Sequence, residues 1–475
     1  MNQKVLKTLE FYKIIEKLTE CAHSEPGKKL CRELVPSSDF DEVVQSQTET
    51  ADAAARIRQK GNLSFAGVSD MGGSLKGLEI GGSLSAHELL SISGLLTCAA
   101  RAKNYGRHPE NQELPDDSLD EMFRSLEPLT IVNQEITRCI LSEEEIADDA
   151  SPGLRHVRRQ MKITADRVHT QLNSILNSSR SLLQDAVITM RDGRFVVPVK
   201  AECKGELPGL VHDISSSGAT LFVEPMGVVQ ANNELKELEA KEKKEIEKIL
   251  FALSAEAAAH QGDILWDYDT LVHLDLIFAK GQLSYQMDAC RPEIRADGGL
   301  NLRRARHPLL DPAKAVPIDI ELGDTFDTLV ITGPNTGGKT VSLKTLGLLT
   351  LMAQCGLHIP AADRSSLSVY DRVLADVGDE QSIEQSLSTF SAHMVNIVHI
   401  LEEADRRSLI LFDELGAGTD PVEGAALAIA IIQEVRGKGA KIAATTHYAE
   451  LKTFAMTTAG VENASCEFDV ETLRP

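Results

Sequence analysis

Apolar residues recur at helical spacing through the first quarter of the chain, at Leu6, Leu9, Ile14, Ile15 and Leu18, then at Leu89, Leu90, Ile92, Leu95 and Leu96. That spacing gathers them on one side of a helix and predicts a helical region over residues 1–127. Glycines at 67, 72, 73, 81 and 82 mark loops between those helices. A long polar helix is predicted from Leu154 to Leu183, and near Asp185 the period shortens to that of a strand. AVITMR and RFVVPVK are β-rich arms on either side of Asp192 and Gly193, a pair suited to a type I′ turn. GLVHDIS and ATLFVEP read as a second pair of strands around Ser216 to Gly218. Helical character returns from Val228 to Gln261, where Glu237 and Lys241, and Glu239 and Lys243, are spaced for i,i+4 pairs. Each long helix has roughly 30 residues and spans about 45 Å. They enclose a β-rich insert whose ends must meet. The economical solution is an antiparallel pair of arms, 128–185 and 228–291, carrying a β-tip at 186–227. Residues 292–475 alternate apolar strands and helices, the pattern of an α/β domain.

The strand predicted at Leu329 to Ile331 runs into GPNTGGKT, Gly333 to Thr340, and then into a helical pattern from Val341 to Leu351. Strand, G-x-x-x-x-G-K-T and helix in that order predict a phosphate-binding loop. Gly333, Pro334, Asn335, Thr336, Gly337, Gly338, Lys339, Thr340 and Val341 form the expected nucleotide cradle. The amides of Gly337 to Thr340 would face a polyphosphate at the positive end of the helix. Lys339 is expected to reach the β- and γ-phosphates, and the Thr340 hydroxyl to ligate Mg²⁺. Downstream, SLILFDE ends an apolar strand in two carboxylates. Asp413 suits a magnesium ligand acting through water, and Glu414 suits the group that polarises the attacking water. KIAATTH is a further apolar strand ending at His447, a candidate γ-phosphate sensor. Parallel strands bring such ends to one edge, where ligands bind. Ser388 and Thr389 precede another helical pattern; they cap that helix, point it at a phosphate, or do both.

Composition narrows the setting. A formal net charge of −22 opposes attraction of nucleic acid or anionic membrane to the whole surface. Nucleic-acid contact would have to be local, and Arg155 to Lys204 is the basic stretch. Arg191, Arg194 and Lys200 fall on the β-tip, placed to grip phosphates by backbone and shape, with too few aromatics for base stacking. The mixed run Glu234 to Lys248 reads as a solvated face. The eight cysteines have no C-x-x-C pair and read as reduced thiols of a cytoplasmic protein. The first twenty residues carry charges throughout, unlike a signal peptide, and no apolar run is long enough to span a bilayer.

Together, GPNTGGKT, SLSTFSAHM, LILFDELGAGTDPVEGAALA and ATTHYAELK resemble the MutS family, in its order and at its spacing. HPLL at His307 to Leu310 and the DGRFVVPVK hairpin are similar to the second bacterial branch, which lacks the mismatch-reading domain. The resemblance implies a multidomain fold: a helical core (1–127), lever arms (128–185 and 228–291), a β-rich clamp (186–227) and an ABC-type P-loop ATPase domain (292–475). It implies a homodimeric ATPase using ATP and Mg²⁺. Ser388 would touch the γ-phosphate bound by the other subunit, and Asp420 would lie at that interface. It further implies binding of branched or recombining DNA, or of stalled, collided ribosomes through rRNA, with no membrane partner. Family members carry a C-terminal Smr nuclease-type domain and a helical tail that helps pair subunits. The resemblance places both beyond Pro475, so the family's nuclease activity is not expected of residues 1–475. Phe222-Val223-Glu224 matches the spelling of the family's mismatch wedge. Two alternatives are a nucleotide-switched scaffold with little turnover and an ABC motor of a membrane transporter. Helical arms placed before the ATPase, and SLSTF in place of an LSGGQ-like element, weigh against the transporter.

Overall fold

The structure is a computed structural model and describes residues 2–107, 116–334, 337–378 and 389–466. It divides into two compact units. One comprises Met1–Ser69, Cys98–Leu126 and Tyr268–Pro475; the other comprises Asp70–Thr97 and Glu127–Asp267.

The first unit is built on a five-stranded sheet. Its strand order is Arg372–Asp376, Ser408–Phe412, Lys441–Thr445, Thr328–Thr332, Val461–Ser465, and each neighbouring pair is parallel. All but the edge strand Val461–Ser465 are nearly continuous buried runs, because both faces are covered there. Leu329, Ile331, Leu409 and Leu411 point to one side, into a core shared with the helix Lys339–Gln354. Val330, Ile410 and Phe412 point to the other, against helices Thr389–Glu403, Pro421–Gly437 and Ala449–Thr457. Burying each such side chain contributes about 1.5–3 kcal/mol. A second, mixed sheet has the order Glu293–Arg295, Ser366–Ser368, Leu300–Ala305, Ile318–Leu322.

The N-terminal helices share the core of the parallel sheet. Phe11, Ile14 and Leu18 of helix Phe11–Cys21 are buried in it, and so is Leu9. Gly347 makes this approach possible: a Cβ there would stand 2.8 Å from Leu9 Cδ1 and 2.5 Å from Leu411 Cδ1. Periodicity predicts these helices but carries no sign of where their apolar faces are buried.

In the second unit, helices Pro152–Ser178 and Met226–Ala259 run antiparallel. Their cross-links show the direction: Arg158 pairs with Glu242, and further along Arg167 pairs with Glu234. Glu234 and Glu242 thus bond across the helix pair, to partners that i,i+4 spacing cannot reveal. A four-stranded antiparallel sheet sits at one end, ordered Thr189–Arg191, Arg194–Lys200, Thr220–Pro225, Gly209–Ile214. Val197, Val199, Leu221 and Val223 pack on Val168, Leu172, Leu176, Val228 and Leu235. The first hairpin turns at Asp192 (φ 50°) and Gly193 (φ 70°), with Arg191 paired to Arg194. Two successive positive φ angles are what a type I′ turn requires.

Candidate nucleotide site

The strand Thr328–Thr332 leads through the glycine-rich loop into helix Lys339–Gln354. Two of the loop glycines are conformationally required. Gly338 caps the helix at φ 83°, and Gly333 lies at φ 128°, where a Cβ would come within 2.5 Å of Cys466 O. Gly338 offers no side-chain cap, so the first amides of the helix remain available to an anion. Val341 lies in this first turn and is 41% exposed.

Lys339 is buried beneath the loop, its Nζ donating to Gly333 O at 2.6 Å and lying 3.2 and 3.3 Å from the ring nitrogens of His447. Burial pulls its ammonium below the usual lysine value, while Glu414 and Asp413 act in the opposite direction. The Thr340 hydroxyl donates to both oxygens of Asp413, at 3.1 and 2.9 Å. Thr445, at the end of the neighbouring strand, donates its hydroxyl to the same carboxylate and accepts the Glu414 amide at 2.8 Å. Glu414 adopts φ 48°, a left-handed conformation that costs a non-glycine residue energy. Its Oε1 lies 3.2 Å from His447 Nε2. The strand ends therefore bring Lys339, Thr340, Asp413, Glu414 and His447 together at one edge of the sheet.

A hydroxyl and a carboxylate in contact are hard oxygen donors of the kind Mg²⁺ takes when phosphates and waters complete its shell. Thr340 and Asp413 therefore fit that ion. Among the described residues no cluster of three or more His, Cys, Asp or Glu side chains makes an all-protein metal cage. A cavity of about 220 Å³ adjoins this pair and is lined by Thr340, Asp376, His393, Asp413 and Glu414, among others. Asp376 and His393 escaped the sequence reading. The signal for Asp376 was present: RVLAD, like SLILFD, is an apolar strand ending in a carboxylate. The hydrogen bond to Asp376 raises the His393 imidazole above the ordinary histidine value, against the effect of burial.

A sequence profile described as MutS domain V matches residues 329–473. Over its full length the chain is 56% identical to a protein called endonuclease MutS2 from Lachnoclostridium phytofermentans and covers 60% of it. The chain belongs to the MutS family. The endonuclease MutS2 proteins of Agathobacter rectalis and a Geobacillus species are 56% and 51% identical over the whole chain, with 60% and 61% of their lengths covered. The chain thus spans about three-fifths of the curated relatives it matches.

The remaining expected positions of this MutS-family chain fall as follows. Asn335, Thr336 and Ser388 lie outside the described residues. Asp420 caps helix Pro421–Gly437, accepting the amides of Val422 and Glu423 at 3.0 and 3.3 Å. Arg191 stacks on the Phe222 ring, 4.1 Å from its centre, and pairs with Asp213 at 3.1 Å. Arg194 donates to both oxygens of Glu224 at 2.8 and 3.0 Å. Glu224 is fully buried and also bonds His212 and Asn232, so Phe222-Val223-Glu224 is a strand of the tip's own sheet. Lys200 donates to Ser181 O at 3.1 Å. The basic stretch is in large part self-neutralised: Arg158 pairs with Asp148 and Glu242, and Arg167 with Glu234. Among the described residues Arg159, Lys162, Arg180 and Lys204 are exposed cations without a carboxylate partner. Also among the described residues, no helix is long and apolar enough to cross a membrane.

Proposed function

We propose that the chain binds Mg²⁺·ATP in this edge site and hydrolyses it as a homodimeric ATPase of the cytoplasm. The observation that carries the reading is the contact of Thr340 with Asp413 beside the buried Lys339, with Glu414 one residue on. Bound Mg²⁺ would neutralise phosphate charge. Lys339, Gly337, Gly338 and the first helix amides hold the phosphates. Glu414 orients the attacking water, and His447 senses the terminal phosphate. Ser388 of the other subunit completes the site, so closure and hydrolysis are coupled. Positioning and charge stabilisation account for most of such catalysis.

In this reading 128–185 and 228–291 are lever arms and 186–227 a clamp. ATP-driven closure moves the arms, and the clamp grips a phosphate lattice, either branched DNA or the rRNA of a stalled, collided ribosome. Arg191, Arg194 and Lys200 were the sequence-level candidates for that grip. The internal bonds of Arg194 favour the exposed cations Arg159, Lys162, Arg180 and Lys204 as the groups that meet phosphate. Competition between four-way DNA junctions and collided ribosomes, with and without a non-hydrolysable ATP analogue, separates the two partners. The catalytic reading is tested with Glu414→Gln: it should bind ATP like the parent and turn it over about 100-fold more slowly or worse. Unchanged turnover would remove Glu414 from the mechanism.

A further inference from the structure

The cavity beside Thr340 and Asp413 has a second polar wall to which the P-loop chemistry assigns no role. The strand Arg372–Asp376 ends in Asp376, whose side chain is 8% exposed. Its Oδ2 lies 2.8 Å from His393 Nδ1, and its Oδ1 accepts from Asn396 Nδ2 at 2.8 Å. Its carbonyl accepts the Asp413 amide at 2.8 Å, tying this wall to the neighbouring strand end. His393 and Asn396 are three residues apart on helix Thr389–Glu403 and so share a face. Asn396 is held in turn, since its Oδ1 accepts from Lys4 Nζ at 2.6 Å.

With Nδ1 committed to Asp376, the imidazole has one ring nitrogen left for a ligand. The ring lines the same cavity as Thr340, Asp413 and Glu414. Gly378 lines the cavity beside the ring's outer edge. A buried carboxylate that aligns a histidine at the mouth of a phosphate site is a device for aiming a donor, and an exposed structural pair would need none of this support.

We propose that His393 contacts the terminal phosphate of the bound nucleotide through Nε2–H, with Asp376 as its positioning residue. The inference rests on the ATP reading and adds to it a residue that distinguishes triphosphate from diphosphate. A charge-assisted hydrogen bond made only with the terminal phosphate affects ATP affinity and leaves ADP affinity alone.

The test measures equilibrium binding of Mg²⁺·ADP and of a Mg²⁺-bound β,γ-imido ATP analogue to the parent, His393→Gln and Asp376→Asn. The parent should bind both. His393→Gln should lose about tenfold in affinity for the triphosphate analogue and keep its ADP affinity. Asp376→Asn should shift the same ratio in the same direction by a smaller factor, because the ring remains but is less firmly aimed. If His393→Gln binds both nucleotides as the parent does, or loses both equally, the assignment is overturned while the ATP site stands. A parent that binds neither nucleotide overturns the ATP reading and this assignment with it.

Discussion

Thr340 Oγ1 lies 3.1 and 2.9 Å from the two carboxylate oxygens of Asp413, on the first turn of one element and the strand end of another. Neither residue has a use for the other in holding the core. In the proposed reading both are ligands of one Mg²⁺. ATP affinity of the parent should therefore rise when Mg²⁺ replaces a chelator. In Asp413→Asn that Mg²⁺-linked gain should shrink to about threefold or less, because the neutral amide is a poor partner for a hard dication. Binding titrations with Mg²⁺ and with EDTA measure the gain directly. An undiminished gain in Asp413→Asn would place the ion elsewhere.

Acid should destabilise the first unit through His358. This side chain is 7% exposed, its Nδ1 lies 2.7 Å from Ser284 Oγ, and its Nε2 has no partner among the described residues. Burial pushes its imidazole down to about 4. Between the ordinary value, about 6.5, and that lowered value the unfolded chain takes up a proton that the folded chain does not. Stability is then complete above about pH 6.5 and falls as pH drops toward 4, by about 1.4 kcal/mol per unit in the middle of the window. His307 is lowered to about 4 by burial and acts in the same direction. Between denaturant midpoints at pH 7 and pH 5, His358→Asn should therefore lose less stability than the parent. An equal loss in both would exclude His358 as a source.

Glu224 is the electrostatic hinge-pin of the β-tip. Its carboxylate is fully buried and bonds Arg194, His212 and Asn232. Truncation to alanine leaves Arg194 facing an empty, largely desolvated position. Glu224→Ala should cost about 3–5 kcal/mol, and Glu224→Gln less, since the amide still accepts hydrogen bonds. Urea unfolding followed by a probe in the second unit reads this out. A change under about 0.5 kcal/mol would mean that the pair is not buried in solution.

The same geometry separates two classes of arginine. Arg194→Ala should lower stability by stranding Glu224, and any loss of nucleic-acid binding should follow from that. Arg180→Ala and Lys204→Ala, at exposed positions, should leave the midpoint within about 0.5 kcal/mol. If those cations meet phosphate, each substitution should flatten the plot of log affinity against log salt by about 0.9 for duplex DNA. An unchanged slope in both variants would take the grip away from this surface.

Much of the local structure was legible in the residues, for stated reasons. The type I′ turn was visible because Asp192 and Gly193 tolerate positive φ. The central strands were visible because a sheet buried on both faces demands continuous apolar runs, as in SLILF. The glycine-rich turn from strand Thr328–Thr332 into helix Lys339–Gln354, and the carboxylates ending strand Ser408–Phe412, were visible because their short spellings mark where a strand stops. What stayed hidden depends on distant partners. Arg194 read as a free cation because nothing local marks Glu224, 30 residues away, as its buried partner. Arg158 and Glu242 are 84 residues apart, and their bond exists only once the two long helices lie antiparallel. Asp376 and His393 became a pair only when a helix returned to the strand it follows. Spacing put Leu9 in a helix; it lies instead in the turn between helices Gln3–Thr8 and Phe11–Cys21, and neither that break nor its seat against Gly347 is marked by local residues.

The most direct test of the nucleotide site is equilibrium titration of the chain and of Lys339→Ala with Mg²⁺·ATP. Far-ultraviolet circular dichroism would confirm that both are folded. Saturable binding by the parent, weakened about 30-fold or more in Lys339→Ala, is the expected result, since a buried ammonium beside the phosphates is worth at least about 2 kcal/mol. Equal affinity in the two proteins would contradict the account, because the loop would then hold no triphosphate through the group buried beneath it.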